Sequence, residues 1–122
     1  MIRREFRLKR VYLPPEAADG SRVLVDRLWP RGLSRERARI DLWCRQLAPS
    51  TALRQRFHGD PSGWDAFKTA YYAELVRPGA EAAMRDLFDR SRRGPVTLLF
   101  AARDEARNNA VALQEWLDRQ DC

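Results

Sequence analysis

The sequence predicts an α/β fold: a small single domain, residues 1–122, with a few-stranded, mostly parallel sheet packed with helices. Three observations predict this class. A short β-branched run from Arg22 to Asp26 and a continuous apolar run from Val96 to Ala101 are typical of buried strands. Four stretches with a helical spacing of apolar residues lie between these runs, and a fifth follows. A chain of 122 residues is long enough to bury one real core.

The N-terminal third begins with residues 5–12, which predict a strand of mixed polarity near an edge of the sheet. Two prolines end this strand, and an Asp-Gly turn signal precedes the strand over residues 22–26. Ser34 is the predicted N-cap of a helix over residues 35–47. The apolar stripe of that helix comprises Ile40, Trp43 and Leu47.

Three more helices are predicted before the last strand, and one after it. Ser50 caps residues 51–58, Asp60 caps the next helix, and Gly94 ends the one that follows. Asp104 is the predicted N-cap of the last helix, with Asn109 pointing inward and Asn108 toward solvent. The apolar stripe after Asp60 comprises Trp64, Phe67, Tyr71 and Leu75. The inner face of the last helix comprises Ala106, Ala110, Leu113 and Leu117.

The charge is concentrated in one half of the chain and is carried almost entirely by arginine. Of the 23 basic residues, 21 are Arg. Residues 1–60 hold 14 basic and 7 acidic side chains, whereas residues 61–122 hold 9 and 10. Because guanidinium groups bind carboxylates and phosphates in a bidentate manner, this half indicates an anionic partner, either small or polymeric.

Several classes of protein are excluded by composition and motif. Two cysteines and one histidine provide no metal-ligand spacing, and the cysteine usage favours a reduced, cytoplasmic setting. The N-terminus lacks the apolar segment of a secretory signal, and no apolar run is long enough to span a membrane. Glycine-rich nucleotide loops and the hydrolase nucleophile elbow are also missing.

The predicted site lies where the two apolar strands end, since open α/β sheets bind ligands at the carboxyl ends of their strands. If the two strands are parallel neighbours, the loops that follow them converge. Arg27 and Arg31 would then clamp an anion, and Trp29 would stack on a planar group. The first loop supplies Asp26, Arg27, Trp29 and Arg31, and the second supplies Arg103, Asp104, Asn108 and Asn109.

His58 carries the chain's one imidazole and shares a helix face with Arg54, so both are added to the predicted site. The predicted catalytic residues are Asp26, His58 and Asp104. The predicted ligand-binding residues are Arg27, Trp29, Arg31, Arg54, Tyr71, Asn108 and Asn109. Several have a structural alternative: ion pairing for Asp26, core packing for Trp29 and Tyr71, interaction with a helix dipole for His58, helix capping for Asp104, and hydrogen bonds to loop backbone for Asn109.

Three blocks of sequence carry a resemblance to a known family. They are VLVDRLWPRG from Val23, LAPSTALRQRFHGDPSGW from Leu47 and VTLLFAARDEARNNAVAL from Val96. Over nearly the whole chain the sequence resembles the bacterial YeaO-like proteins, the family called domain of unknown function 488. More distant members look as if they carry a Cys near the end of the last strand and a Cys-His-Arg run in the next helix. Here Phe100 and Asn108-Asn109 stand instead, so the resemblance supports the fold and the site but implies no reaction.

Residues of this chain that match the family pattern include most of the predicted site. They are Arg22, Asp26, Arg27, Trp29, Pro30, Arg31, Gly32, Pro49, Ser50, Arg54, His58, Trp64, Tyr71, Asn108 and Asn109.

Three functions remain open at this stage, and no cofactor, substrate or oligomeric state follows from the sequence. The first is a site for a small anion, phosphate- or carboxylate-bearing and including nucleotides, whether catalytic or only binding. It requires Arg31, His58, Asp104 and Asn109 to converge on one concave pocket. The second is nucleic-acid binding or regulation, through arginines combined with Trp29 and Trp43. The third is a structural or partner-binding module, which an exposed apolar patch would favour.

Overall fold

The architecture is a four-stranded parallel sheet, as the computed structural model describes it for residues 5–58 and 60–120. The strands are β1 (Phe6–Arg10), β2 (Ser21–Leu24), β3 (Leu42–Trp43) and β4 (Val96–Phe100). Their order across the sheet is β1-β4-β2-β3, and every neighbouring pair is parallel. The α/β class, the edge position of the first strand and the parallel pairing of the two apolar strands are therefore confirmed.

Five α-helices accompany the described strands. They are α1 (Arg35–Ala38), α2 (Thr51–Phe57), α3 (Trp64–Leu75), α4 (Glu81–Arg93) and α5 (Asn109–Asp118). Short 3₁₀ turns cover residues 17–19, 45–47 and 61–63. Ser34 and Ser50 are N-caps as predicted, accepting the N–H groups of Arg37 and Leu53. None of the helices in the described part of the chain combines the length and the apolarity needed to cross a bilayer.

One face of the sheet is covered by helices α2 to α5. Val23, Leu98 and Phe100 point into this core, because alternate residues of a strand face the same side. The helices contribute the predicted stripes, including Tyr71 and Leu113, which are fully buried. This face is therefore the apolar side of the domain.

The other face is covered by residues 25–41, which connect β2 to β3, instead of by long helices. Leu24 and Leu99 form a smaller apolar cluster there, and the half-buried rings of Trp29 and Trp43 pack against it. The two indole rings meet edge to face, with centroids 5.2 Å apart. One side of β4 thus packs against helices, and the other side packs against a connecting segment.

Next to that cluster lies a buried ion-pair network. The Arg22 side chain is 3% exposed, and its guanidinium donates to the Asp19 carboxylate at 2.6 Å. It also donates twice to the carbonyl of Ala38, at 3.0 and 2.8 Å. Lys9 reaches both Asp19 oxygens at 3.2 Å, and the Thr97 hydroxyl donates to the Asp19 carbonyl. Every charge in the network has a partner, as a buried charge requires.

The predicted helix over residues 35–47 is wrong beyond residue 38. Arg39 has φ of 47°, and this left-handed conformation ends α1 after one turn. Leu42 and Trp43 then form β3, which pairs with β2. The Trp43 indole N–H donates to the Asp26 carbonyl at 2.7 Å, so tertiary bonds outweigh the helical spacing.

The start of the last helix also differs from the prediction. The N-cap of α5 is Asn108, whose side chain accepts the Val111 N–H at 2.9 Å and is buried at 6% exposure. Asp104 closes a separate turn by accepting the N–H groups of Ala106 and Arg107. Ala106 is consequently exposed instead of facing the core. The prediction that Asn108 points toward solvent is therefore wrong, because its side chain binds an orphan helix N–H group.

Candidate functional site

The carboxyl ends of β2 and β4 are tied together by Asp26. Its carboxylate accepts the Ala101 N–H at 2.9 Å and the Asn109 side-chain amide at 3.1 Å. The same Asn109 amide donates to the Val25 carbonyl at 3.0 Å, which confirms that Asn109 points inward. The loops after the two strands and the start of α5 are thus joined by one carboxylate and one amide.

The Asp26 carboxyl titrates in an unusual environment. Burial raises its pKa above the ordinary value and outweighs the opposing effects of the Ala101 N–H, the Asn109 amide and the positive charge of Arg54. The influence of Arg54 connects this carboxyl to the neighbouring helix α2. The Asp26 carboxyl therefore responds to the charge of Arg54, and its hydrogen bonds hold the two loops together.

A cavity of about 890 Å³ opens beside these strand ends. Its walls are α2, the start of α3 and the loop between β4 and α5. The backbone of this last loop and the beginning of α5 enter the wall through Ala102 and Asn109. The cavity is within the size range of sites for small organic ligands.

One set of groups in the cavity wall is cationic. Arg54, Arg103 and Arg107 line it together with His58, the residue that ends α2. Arg54 and Arg103 are exposed, and no carboxylate of the described residues lies within ion-pair distance of either. These two guanidinium groups keep their donors available to a ligand.

A second part of the wall is aromatic. The Phe67 ring stands 6.0 Å from Phe57, edge to face, and 5.8 Å from Trp64, nearly parallel. Gly63 completes this wall, because a Cβ at its position would lie 2.6 Å from a ring carbon of Phe57. The Phe57 ring therefore packs directly on the backbone of Gly63.

Two carboxylates also line the cavity, and local turns engage both. Asp60 accepts the backbone N–H and the hydroxyl of Ser62, at 3.1 and 2.5 Å. Asp104 accepts the N–H groups of Arg107 and Ala106, and these bonds hold the pKa of its carboxyl below the ordinary value. Asp104 thus stays ionised, and three guanidinium groups face two carboxylates in the wall.

Half of the predicted site residues come together at this cavity. The predicted residues that line it are Arg54, His58, Asp104, Asn108 and Asn109. Of the four residues whose convergence was required, His58, Asp104 and Asn109 meet there, whereas Arg31 is not among the described lining residues. The first predicted loop contributes Leu28.

The remaining predicted residues hold the surrounding structure together. Asp26 lies beneath the site, and Arg27 donates to the Pro49 carbonyl at 3.1 Å. The Trp29 indole donates to the Leu33 carbonyl at 2.7 Å. Tyr71 is fully buried and donates its hydroxyl to the Leu47 carbonyl. Arg31 is exposed on the same loop as Trp29, and its carbonyl accepts the Tyr12 hydroxyl.

Sequence reasoning missed the aromatic wall. Trp64 and Phe67 lie on a helical stripe with Tyr71, and such a stripe normally faces the core. Both pack against the core but are only half-buried, and both also line the cavity. The available signal was the position of Trp64, at the end of the block that also contains Arg54 and His58.

Comparison with known proteins adds the family. The family model described as "Inactive DUF488-N3 subclade" matches residues 5–121. The chain belongs to this family. It is 42% identical over 109 residues to the uncharacterized protein YeaO of Escherichia coli K12, covering 89% of this chain and 93% of YeaO.

A second relative is similar to the same extent. The uncharacterized protein Rv3073c of Mycobacterium tuberculosis H37Rv is 41% identical over 112 residues, which cover 92% of each chain. No solved structure matches the chain significantly. The predicted resemblance to the YeaO-like proteins is therefore confirmed over most of the sequence.

Proposed function

We propose that this protein binds an anionic small ligand in the cavity at the carboxyl ends of β2 and β4. The observation that carries the proposal is the pair of exposed arginines, Arg54 and Arg103, in the wall of one cavity without a carboxylate partner among the described residues. Guanidinium groups bind phosphates and carboxylates through paired N–H donors. An anion between them would supply the partner that the described residues do not.

The roles within the predicted site follow from the contacts. Arg54 and Arg103 hold the anion, and His58 and the α5 N-terminus add donors beside them. Asp26 and Asn109 act as positioning residues, because their hydrogen bonds hold the loops that form the wall. Arg27, Trp29, Arg31 and Tyr71 support those loops from outside the cavity.

Binding is favoured over catalysis. The catalytic candidates in the wall are His58 and Asp104. They do not form a matched acid and base, because two backbone N–H groups hold the Asp104 carboxyl ionised. The description of the matching family as inactive supports the same interpretation. We therefore propose that the protein binds its ligand without converting it chemically.

Thermal unfolding and calorimetry test this proposal with inorganic phosphate, pyrophosphate, benzoate and phenyl phosphate. A ligand that binds only the folded protein raises the Tm. Arg54→Gln and Arg103→Gln should each weaken binding about tenfold or more, because each removes a charge-assisted hydrogen bond of about 1.5–3 kcal/mol.

Arg85→Gln is the matched control, since Arg85 is an exposed arginine of α4 outside the cavity wall. Its affinity for each anion should equal that of the wild type. The proposal is contradicted if no anion binds, or if binding survives both cavity substitutions.

A second candidate function is nucleic-acid binding, favoured by four exposed arginines between residues 31 and 39. They are Arg31, Arg35, Arg37 and Arg39. In the part of the chain that the structure describes, none of them forms an ion pair. Affinity for a fluorescent single-stranded oligonucleotide should then fall steeply with salt. Arg35→Gln with Arg37→Gln should reduce the log–log slope by about 1.4.

We propose that the protein is located in the cytoplasm. Cys44 is a buried free thiol, and burial raises its pKa to about 12, so it stays protonated and unreactive. A free buried thiol is typical of proteins in reducing compartments.

A further inference from the structure

We infer that the ligand is an organic anion with a flat apolar body, in which one negative group is attached to an aromatic ring system. This inference rests on the proposed function and specifies the class of ligand for the same cavity. Aryl phosphates and aryl carboxylates have the required chemistry, and a nucleoside monophosphate shares it. Three observations support the class: the cavity volume, the aromatic wall and an exposed leucine at the cavity.

The volume of about 890 Å³ is far larger than an inorganic anion needs. A water molecule takes about 30 Å³ in the liquid, and a phosphate ion, with five heavy atoms, takes only a few times as much. Pockets of about 300–1,000 Å³ instead enclose organic ligands of tens of atoms. The anion therefore accounts for one end of the occupant, and a larger body fills the remainder.

The aromatic wall indicates what that body is made of. Phe67 is in ring contact with both Phe57 and Trp64, so the three rings form a continuous apolar surface instead of isolated contacts. Aromatic rings favour offset-stacked or edge-to-face partners that are themselves flat and apolar. A polyphosphate would leave this surface without a complementary partner.

Leu28 provides the third, independent observation. Its side chain is 62% exposed although it lines the cavity. The residues on either side of it, Arg27 and Trp29, donate hydrogen bonds to backbone carbonyls, which fixes the position of the loop after β2. An apolar ligand body in the cavity would cover this leucine.

The helix α2 sets the spacing between the two ends of the ligand. Arg54 and Phe57 are three residues apart on α2, and such pairs are neighbours on a helix surface with Cβ atoms about 5–6 Å apart. Arg54 and Phe57 thus place a cation and an aromatic ring side by side on one face of α2. Compounds in which the charge is attached directly to a ring, or through one short linker, fit this spacing.

Calorimetry with matched pairs of compounds tests the class of ligand on the full chain. Inorganic phosphate is compared with phenyl phosphate and 1-naphthyl phosphate, and acetate is compared with benzoate and 1-naphthoate. Because covering an aromatic body adds the burial of a large side chain, the aryl compounds should bind about tenfold to hundredfold more tightly. Adenosine monophosphate in a parallel titration distinguishes a nucleotide from a simple aryl anion.

The variant Leu28→Ser isolates the apolar contact without endangering the fold, since its side chain is exposed. It should weaken naphthyl phosphate by about threefold or more and leave inorganic phosphate unchanged. Val76→Ser is the matched control, because Val76 is 69% exposed and lies outside the cavity wall. It should change neither affinity.

The outcomes separate the two claims. If inorganic phosphate binds as tightly as naphthyl phosphate, and both depend on Arg54, anion binding stands and the aromatic class is overturned. An unchanged naphthyl phosphate affinity in Leu28→Ser also overturns the aromatic class. If no compound binds in an Arg54- and Arg103-dependent manner, the proposed function itself fails.

Discussion

Arginine has opposite roles in two regions of this molecule. In the buried network beside the smaller apolar cluster, Arg22 makes three hydrogen bonds to Asp19 and Ala38 and has almost no contact with water. At the cavity, Arg54 and Arg103 are exposed and have no ion-pair partner among the described residues. Arginine content alone therefore does not indicate a binding site. An arginine whose hydrogen-bond partners belong to the fold stabilises the structure, whereas an exposed arginine without such partners is available to a ligand.

The two regions also differ in what removal of a charge leaves behind. Without Arg22, the Asp19 carboxylate would keep only Lys9 and backbone N–H donors in a buried position. Without Arg54, the exposed groups of the cavity wall would still reach water, and the buried Asp26 carboxylate would keep its bonds from the Ala101 N–H and the Asn109 amide. We therefore expect stability to depend on the first region, and the affinity for the proposed ligand to depend on the second.

The largest expected effect is that of Arg22→Gln. Breaking a buried ion pair by removing one partner costs about 3–5 kcal/mol, because the remaining charge stays buried. Urea denaturation should show this loss. Arg54→Gln, the matched substitution at the cavity, should change the free energy of unfolding by no more than about 0.5 kcal/mol. Similar losses for both variants would break the comparison.

The next effect concerns the wall of the cavity. Gly63→Ala brings a Cβ to 2.6 Å from a Phe57 ring carbon, so the ring must shift. Overpacking of this kind costs about 1–3 kcal/mol. Gly94→Ala is the control, because no heavy atom lies within 4 Å of a Cβ there and its φ of 161° is ordinary extended backbone. Equal stability of the two variants in urea would show that Phe57 is loosely held.

The ion-pair network should make folding sensitive to acid. Burial alone would raise the pKa of the Asp19 carboxyl, but the Glu16 N–H, Lys9 and Arg22 together hold it below the ordinary value of 3.8. A carboxyl with a lowered folded pKa stabilises the protein above its unfolded pKa, and this contribution is lost as the pH falls through the folded pKa.

Urea unfolding between pH 5 and 2 measures this dependence. The free energy of unfolding should fall below about pH 4, with up to about 1.4 kcal/mol per pH unit from this group. Asp19→Asn should flatten that dependence, at the cost of lower stability at pH 7. An unchanged slope in the variant would assign the acid sensitivity to other carboxyls.

Much of the fold could be predicted because its signals are local. The apolar runs of β2 and β4 and the serine caps of α1 and α2 depend only on neighbouring residues. The end of α1 could not be predicted, since the left-handed Arg39 and the bond from Trp43 to the Asp26 carbonyl depend on the tertiary structure.

The site was predictable to a similar extent and for a similar reason. The rule for strand ends led to Asn109 and Asp104, and helical spacing led to His58 and Arg54. The rule says which loops converge, but it does not say which side chains of a loop turn toward the ligand. Arg31, predicted as an anion clamp, is not among the described residues that line the cavity.

The smallest expected effects contrast two polar residues of the same loop. Asn108 is 6% exposed, caps α5 by accepting the Val111 N–H, and donates to the Asp104 carbonyl. Asp104 also accepts two N–H groups, but it lies exposed at the cavity. Asn108→Ala should therefore cost about 1 kcal/mol of unfolding free energy, because a buried cap leaves unsatisfied N–H groups. Asp104→Ala should cost a few tenths, because water replaces its oxygen. If Asp104→Ala were the more costly of the two in urea, burial would not be the property that separates structural from ligand-facing groups here.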